Sequence, residues 1–289
     1  MAKHELYGRR VIYTDAVEIT KDNVLEVLGE STALFTFNSM QTQLLYDYYR
    51  GKHAVYCRVK DVRPEICNTV VENRPNEIVS FKTGYLMGEP VQYVAHGVEN
   101  ISDDLARLNE FIFSEDKATK DKDLADWFHI SGTSYRMILP DAAAEEDESP
   151  FEIYTLDPRD TFVVYGNQLG EPPLMGVKVI RRKGIEETYC CWTKNRYFEI
   201  VRGKIVKEEA HYIGDVPIIE YPANQARLGA FEIVIDLIDA LNDLASDRMD
   251  GVEQFIQALM MFKGVDITSE DFAALKSQGA IKVPLEGDI

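Results

Sequence analysis

A mixed α+β fold is predicted for this 289-residue chain by three changes of rhythm along it. Up to about residue 130, apolar residues recur at three- and four-residue intervals, the spacing of helices that pack on one face. From Ser134 onward they gather into short β-rich runs divided by turn signals, the pattern of a mainly antiparallel sheet region. From Phe231 to Phe255 a helical pattern returns without interruption. No period of about 20–50 residues repeats, so neither a solenoid nor a propeller is expected.

The first helix falls at 39–50, where "SMQTQLLYDYYR" sets Leu44, Leu45, Tyr48 and Tyr49 at helical spacing and Gly51 follows as a left-handed cap. A second runs from about Asn76 to Met87: Ile78, Phe81, Tyr85 and Leu86 recur at helical intervals, and Pro75 suits the first turn. Gly88 stops this helix and Pro90 forbids its resumption, so Gly84, Gly88 and Pro90 mark a structural corner. The "VQYVAHG" beyond it has strand character. Two more helices are expected over 103–115, with Leu105, Leu108, Phe111 and Ile112, and over 118–130, with Leu124, Trp127 and Phe128. The strands read as "SYRMIL", "FEIYTL", "TFVVYG", "LMGVKVI", "EETYCCW" and "RYFEIV", punctuated by Asp157-Pro158, Gly166-Asn167 and Arg202-Gly203. Between the first two lies the acidic "PDAAAEEDESP", an exposed hairpin tip. The 231–255 helix would be roughly 37 Å long. The tail, 257–289, reads as a small helix near 269–277 and a strand "AIKVPL".

Composition narrows the chemistry. With 45% hydrophobic residues the chain can build a real core, and a net charge of −18 argues against a surface that grips nucleic acid phosphates or an anionic membrane. No run of about 18 apolar residues is present, and "MAKHELYGRRVIYTD" has no apolar signal-peptide core, so a soluble product without a membrane partner is expected. Cys57, Cys67, Cys190 and Cys191 show no metal-binding spacing and read as reduced structural cysteines, the last two on opposite faces of a strand. The five histidines are scattered, and no nucleophile elbow, phosphate-binding loop or dinucleotide fingerprint occurs. No catalytic residue, cofactor or metal is therefore expected. Basic residues gather in "RVKDVR" near 58–63, at Arg74 and Lys82, and in "VIRRKG", which fits ordinary surface charge balance.

The 231–255 helix is the unusual element. Glu232, Asp236, Asp239, Asp243, Asp247 and Asp250 follow one another at intervals of three or four and form an acidic stripe. Val234, Ile238, Leu241, Ala245 and Val252 form an apolar stripe offset by about half a turn, which predicts a packed face opposite. Like charges at this spacing destabilise an isolated helix by a few tenths of a kcal/mol per pair, so something outside the helix must tolerate or use them. Three readings stand open: a solvated face; a Mg²⁺-dependent enzyme using Asp236, Asp239 and Asp243; or a negative wall that keeps a passing polyanion from sticking.

Taken in order, "YYRGKH", "ENRPNEIVSFKTGYLMGEPVQY", "FHISGTSYRMI", "IYTLDPRDTFVVY" and "VPIIEYPANQARLGAFEIVIDLIDALNDLASDRMDGVEQF" resemble the landmarks of tailed-bacteriophage portal proteins of the SPP1 type. The resemblance covers about 44–282. It implies a non-enzymatic ring, dodecameric in the virion, at one capsid vertex, through which double-stranded DNA is packaged and ejected without sequence-specific binding. Residues 1–230 would be the wing region, 231–256 a channel-lining stem helix, and 257–289 the start of a small α/β clip. The implied partners are other copies of the chain, the terminase large subunit, major capsid and scaffolding proteins, and a head-completion adaptor. The implied location is the virion's portal vertex, with assembly in the host cytoplasm. On this reading the stripe from Glu232 to Asp250 faces the channel in part. The family continues into a second stem helix, a tunnel loop and a crown that no segment here matches, so the chain reads as the amino-terminal part of a portal or as a non-functional prophage remnant.

Overall fold

The architecture is known from a computed structural model, which describes residues 7–61, 64–94, 102–145, 148–184, 186–256 and 268–269. It begins with a short strand, β1 (Ile12–Thr14), and a long helix, α1 (Val24–Tyr49). α1 starts well before the expected 39. Its first half mixes good helix formers such as Leu25, Glu26 and Ala33 with Gly29, Ser31, Thr32 and Thr36, and the last three each return their hydroxyl to the carbonyl four residues back, at 2.7, 2.6 and 2.8 Å. Burial of Val24, Val27, Leu28 and Phe35 against a sheet outweighs the cost of Gly29 and the hydroxyl residues. Gly51 takes the left-handed conformation expected of it, φ 88°, and its N–H closes the helix end on the Tyr48 carbonyl at 2.9 Å.

Helix α2 (Arg74–Leu86) is capped by Asn73, whose side chain accepts from the Asn76 N–H, and Pro75 occupies its first turn. Its end is the expected corner. The Met87 N–H reaches the Thr83 carbonyl at 2.8 Å, and a Cβ at Gly88 would stand 2.7 Å from the Gly84 oxygen, so only glycine permits this close return. Gly84 itself has open space where a side chain would go. Residues 91–94 form no strand, contrary to expectation; they run as irregular chain against the helix α3 (Ser102–Ser114), whose Asn109 donates to the Tyr93 carbonyl at 3.3 Å. Helix α4 (Lys117–Ser131) follows, as the sequence indicates.

All six expected strands form: β2 (Thr133–Pro140), β3 (Phe151–Leu156), β4 (Thr161–Gly166), β5 (Pro173–Ile180), β6 (Thr188–Trp192) and β7 (Arg196–Val201). Two more, β8 (Lys204–Ala210) and β9 (Ile218–Pro222), complete two sheets. One has the order β1-β4-β5-β6-β7-β8, antiparallel except for the β1–β4 pair, and the other β3-β2-β9 is antiparallel throughout. The acidic 141–150 segment joins β2 to β3 as a hairpin, with Pro140 opposite Phe151. Arg202 and Gly203, both at positive φ, make the two-residue turn between β7 and β8. Cys190 and Cys191 are both buried because β6 is an interior strand, and burial raises both thiol pKa values. All four cysteines are free thiols.

Three apolar clusters hold these layers. The first half of α1 covers the larger sheet through Val164, Met175, Val177, Phe198 and Ile200. Tyr135, Met137, Val163, Val216 and Ile218 fill the space between the sheets, which approach so closely that a Cβ at Gly176 would meet that of Ile218 at 2.7 Å. The third cluster joins Leu45 and Tyr48 of α1, Val79 of α2 and Ile130 of α4 to Phe231, Ile235 and Ile238. These last residues open the long helix: a 3₁₀ turn, Glu232–Val234, and then α5 (Ile235–Ile256). The helix and strand expected within 257–289 lie outside the described residues.

Candidate functional site: the long helix and its clamp

α5 turns its carboxylates in two directions. Glu232, fully buried, ion-pairs with Arg9 and accepts the Gly8 N–H at 3.1 Å and the Gly229 N–H at 2.8 Å, which pins the amino-terminal strap to the helix start. Burial lowers the Arg9 pKa, and Glu232 opposes that shift. One turn into α5, Asp239 accepts from the Tyr48 hydroxyl, 2.9 Å from each carboxylate oxygen. Burial, with this bond, raises the Tyr48 pKa. Asp250 is also buried, and accepts from Lys60, from Arg58 at 3.1 Å and from both nitrogens of Asn68, at 2.7 and 3.0 Å. The Lys60 bond first, then those of Asn68, hold its carboxyl well below the usual carboxylate range, against the opposing effect of burial. Asp236 is exposed, Asp243 is half-buried, and Asp247 is exposed while paired with Arg58.

Between these carboxylates lies a polar fastening. The backbone N–H groups of Asn68, Val70 and Glu72 donate to Asp250, Ser246 and Asn242 at 2.7, 2.9 and 2.9 Å. Two residues of extended chain advance about 6.7 Å and four of helix about 6 Å, so alternate amides meet every fourth helix residue. Asn242 also bonds the buried His53 ring at 2.7 Å, and Ser246 donates to the Asn242 carbonyl at 2.7 Å. The basic "RVKDVR" is thus more than charge balance: Arg58 and Lys60 are the cations that hold Asp247 and Asp250.

The packed face consequently differs from the expected one. It runs through Phe231, Ile235, Ile238, Asn242, Ser246 and Asp250. Of the expected apolar face only Ile238 is buried; Leu241 and Val252 are exposed. The outer surface instead carries Ile233, Leu237, Leu241, Leu244, Val252 and Phe255, with Ile233 76%, Leu244 66% and Phe255 83% exposed. At about 100° per residue these lie opposite the packed face, and Asp236, Asp243 and Asp247 form a flank about a quarter-turn from them. Buried polar contacts at Asn242, Ser246 and Asp250 occupy the inner face, and the leucines lie on the outer one.

Among the described residues no group of three or more His, Cys, Asp or Glu side chains is arranged to hold a metal ion, and Asp239 of the possible Mg²⁺ trio is engaged by Tyr48. No helix among them is long and apolar enough to cross a membrane. Residues 39–289, most of the chain, match the family model described as phage portal protein, SPP1 Gp6-like. The chain belongs to that portal family. Portal proteins of this kind are structural, non-enzymatic components of the phage virion, and form oligomeric rings at the capsid vertex. No curated protein matches this portal chain. The matched span takes in α1 from residue 39 onward, the 58–60 and 68–72 segments that hold the long helix, and all of α5; the Arg9 strap and β1 precede it.

Proposed function

We propose that this portal protein is the subunit of a ring whose channel carries double-stranded DNA during packaging and ejection, with residues 1–230 as wing, 231–256 as channel-lining stem helix and 257–289 as the start of the clip. Terminase would dock on this assembly during packaging, a head-completion adaptor afterwards, and major capsid and scaffolding proteins would surround it. The observation that carries the reading is the inverted α5, its apolar residues outward over about 33 Å of helix. Uncovered apolar stripes of that length mark contact surfaces. In a head-to-tail ring each such stripe is covered by a different surface of the next subunit.

Once the stripe is covered by a neighbour, the flank of Asp236, Asp243 and Asp247 remains for the lumen. Repeated around a ring, these carboxylates repel DNA phosphates and keep the duplex from adhering. Glu232, Asp239 and Asp250 instead hold the helix to its own subunit. Replacing Asp236 and Asp243 together by Arg is expected to leave rings intact in electron micrographs and to reduce nuclease-protected DNA in phage assembly several-fold. Normal packaging by that variant would refute the role given to the flank.

A further inference from the structure

A cavity of about 370 Å³ opens between α4, β2 and the corner after α2. Leu86, Val91, Leu124 and Phe128 make its apolar walls, and Tyr93 and Tyr221 stand among its lining residues. Charge sits in its floor. Asp121 accepts from Lys117 at 2.5 Å on one oxygen and from Arg136 Nη1 at 2.6 Å on the other. Asp121 and Arg136 are 4% and 5% exposed, so two cations share one carboxylate and a net positive charge is left buried. Among the described residues the Arg136 Nε and Nη2 atoms have no hydrogen-bond partner, and neither does the fully buried hydroxyl of Ser134, which also lines the cavity.

Nε and Nη2 are the two donors on one edge of a guanidinium, the edge that grips a carboxylate through two parallel hydrogen bonds. Leaving such donors buried and unpaired is costly, so an unpaired edge on a residue that lines an apolar cavity is matched to an anion. A single surplus charge and hydrocarbon walls suit a monoanion on an apolar body better than a phosphate dianion. We propose that this cavity binds the carboxylate of an organic monocarboxylate, seated on the free edge of Arg136 and the Ser134 hydroxyl, with an aromatic or aliphatic group against Leu124 and Phe128. The inference uses neither α5 nor the ring and stands independently of the proposed function.

Titration of the full chain with phenylacetate and with its neutral isostere phenylacetamide, followed by calorimetry or ligand-observed NMR, tests it. Saturable binding of phenylacetate, with phenylacetamide at least about tenfold weaker, is expected from loss of a charged bidentate pair. Arg136→Lys keeps a cation for Asp121 but removes the forked edge, and should lower phenylacetate affinity about tenfold or more. Ser134→Ala, which disturbs no bond of the fold, should weaken it less. Equal binding of acid and amide, absence of saturable binding, or unchanged affinity in a folded Arg136→Lys variant would overturn the proposal. Competition by an acetyl-Phe-Glu-Phe-amide peptide distinguishes the source. Displacement of phenylacetate points to a carboxylate side chain of another polypeptide, and no displacement to a free organic acid; both results uphold the carboxylate site.

Discussion

At the scale of single residues, the same side-chain type serves two ends on one helix, and position alone decides which. Asp250 is buried among Lys60, Arg58 and Asn68, whereas Asp236, four turns earlier, meets solvent. The sign of the Asp250 contribution follows from its depressed pKa. Its stabilisation is complete above the unfolded-chain value near pH 4 and is lost as pH falls toward the folded one. Asp250→Asn should therefore lower the melting temperature at pH 7, and the gap from the parent should shrink as pH is taken below about 4. A gap that persists undiminished at acid pH would show that the carboxylate's charge is not what matters. None of this was visible in "RVKDVR" or in the acidic stripe taken alone, because a lysine and an aspartate that are 190 positions apart carry no mark of pairing.

At the scale of elements, the fastening between 68–72 and α5 reverses an ordinary amphipathic helix. Asn242, Ser246 and Asp250 stand four apart, a polar file that could have been read as a buried seam, but leucines nearby gave the stronger periodic signal. Sequence periodicity locates the helix and cannot say which face a polar partner will claim. The other helices from 74 to 131 and the six strands were legible since packing there follows the apolar pattern. The first half of α1, β1, β8 and β9 were not: the first is interrupted by Gly29, Ser31, Thr32 and Thr36, β1 has three residues, β8 is an edge strand with no buried position, and β9 has five residues and ends on Pro222. Replacement of Asn242 by Ala strands the Glu72 N–H and the His53 ring nitrogen. A loss of about 1–3 kcal/mol in urea unfolding is expected, and a loss below about 0.5 kcal/mol, the level of ordinary surface substitutions, would mean that the fastening contributes little.

For the molecule as a whole, the outward stripe is a requirement for company. Leu237→Asp combined with Leu244→Asp removes two exposed apolar contacts without touching the inner face, so the monomer should keep its fold and circular dichroism. Sedimentation should then show ring assembly lost or weakened by orders of magnitude, since each covered leucine is worth about 1.5–3 kcal/mol and the loss recurs at every interface. Intact rings would remove α5 from the contact. A different consequence attaches to α1, whose first half belongs to the cluster under the larger sheet and whose last turns belong to the cluster that seats α5. It acts as a single beam let into both foundations. A thrust delivered along α5 reaches the sheets through that beam before any loop can absorb it, and neither foundation can melt without loosening the other.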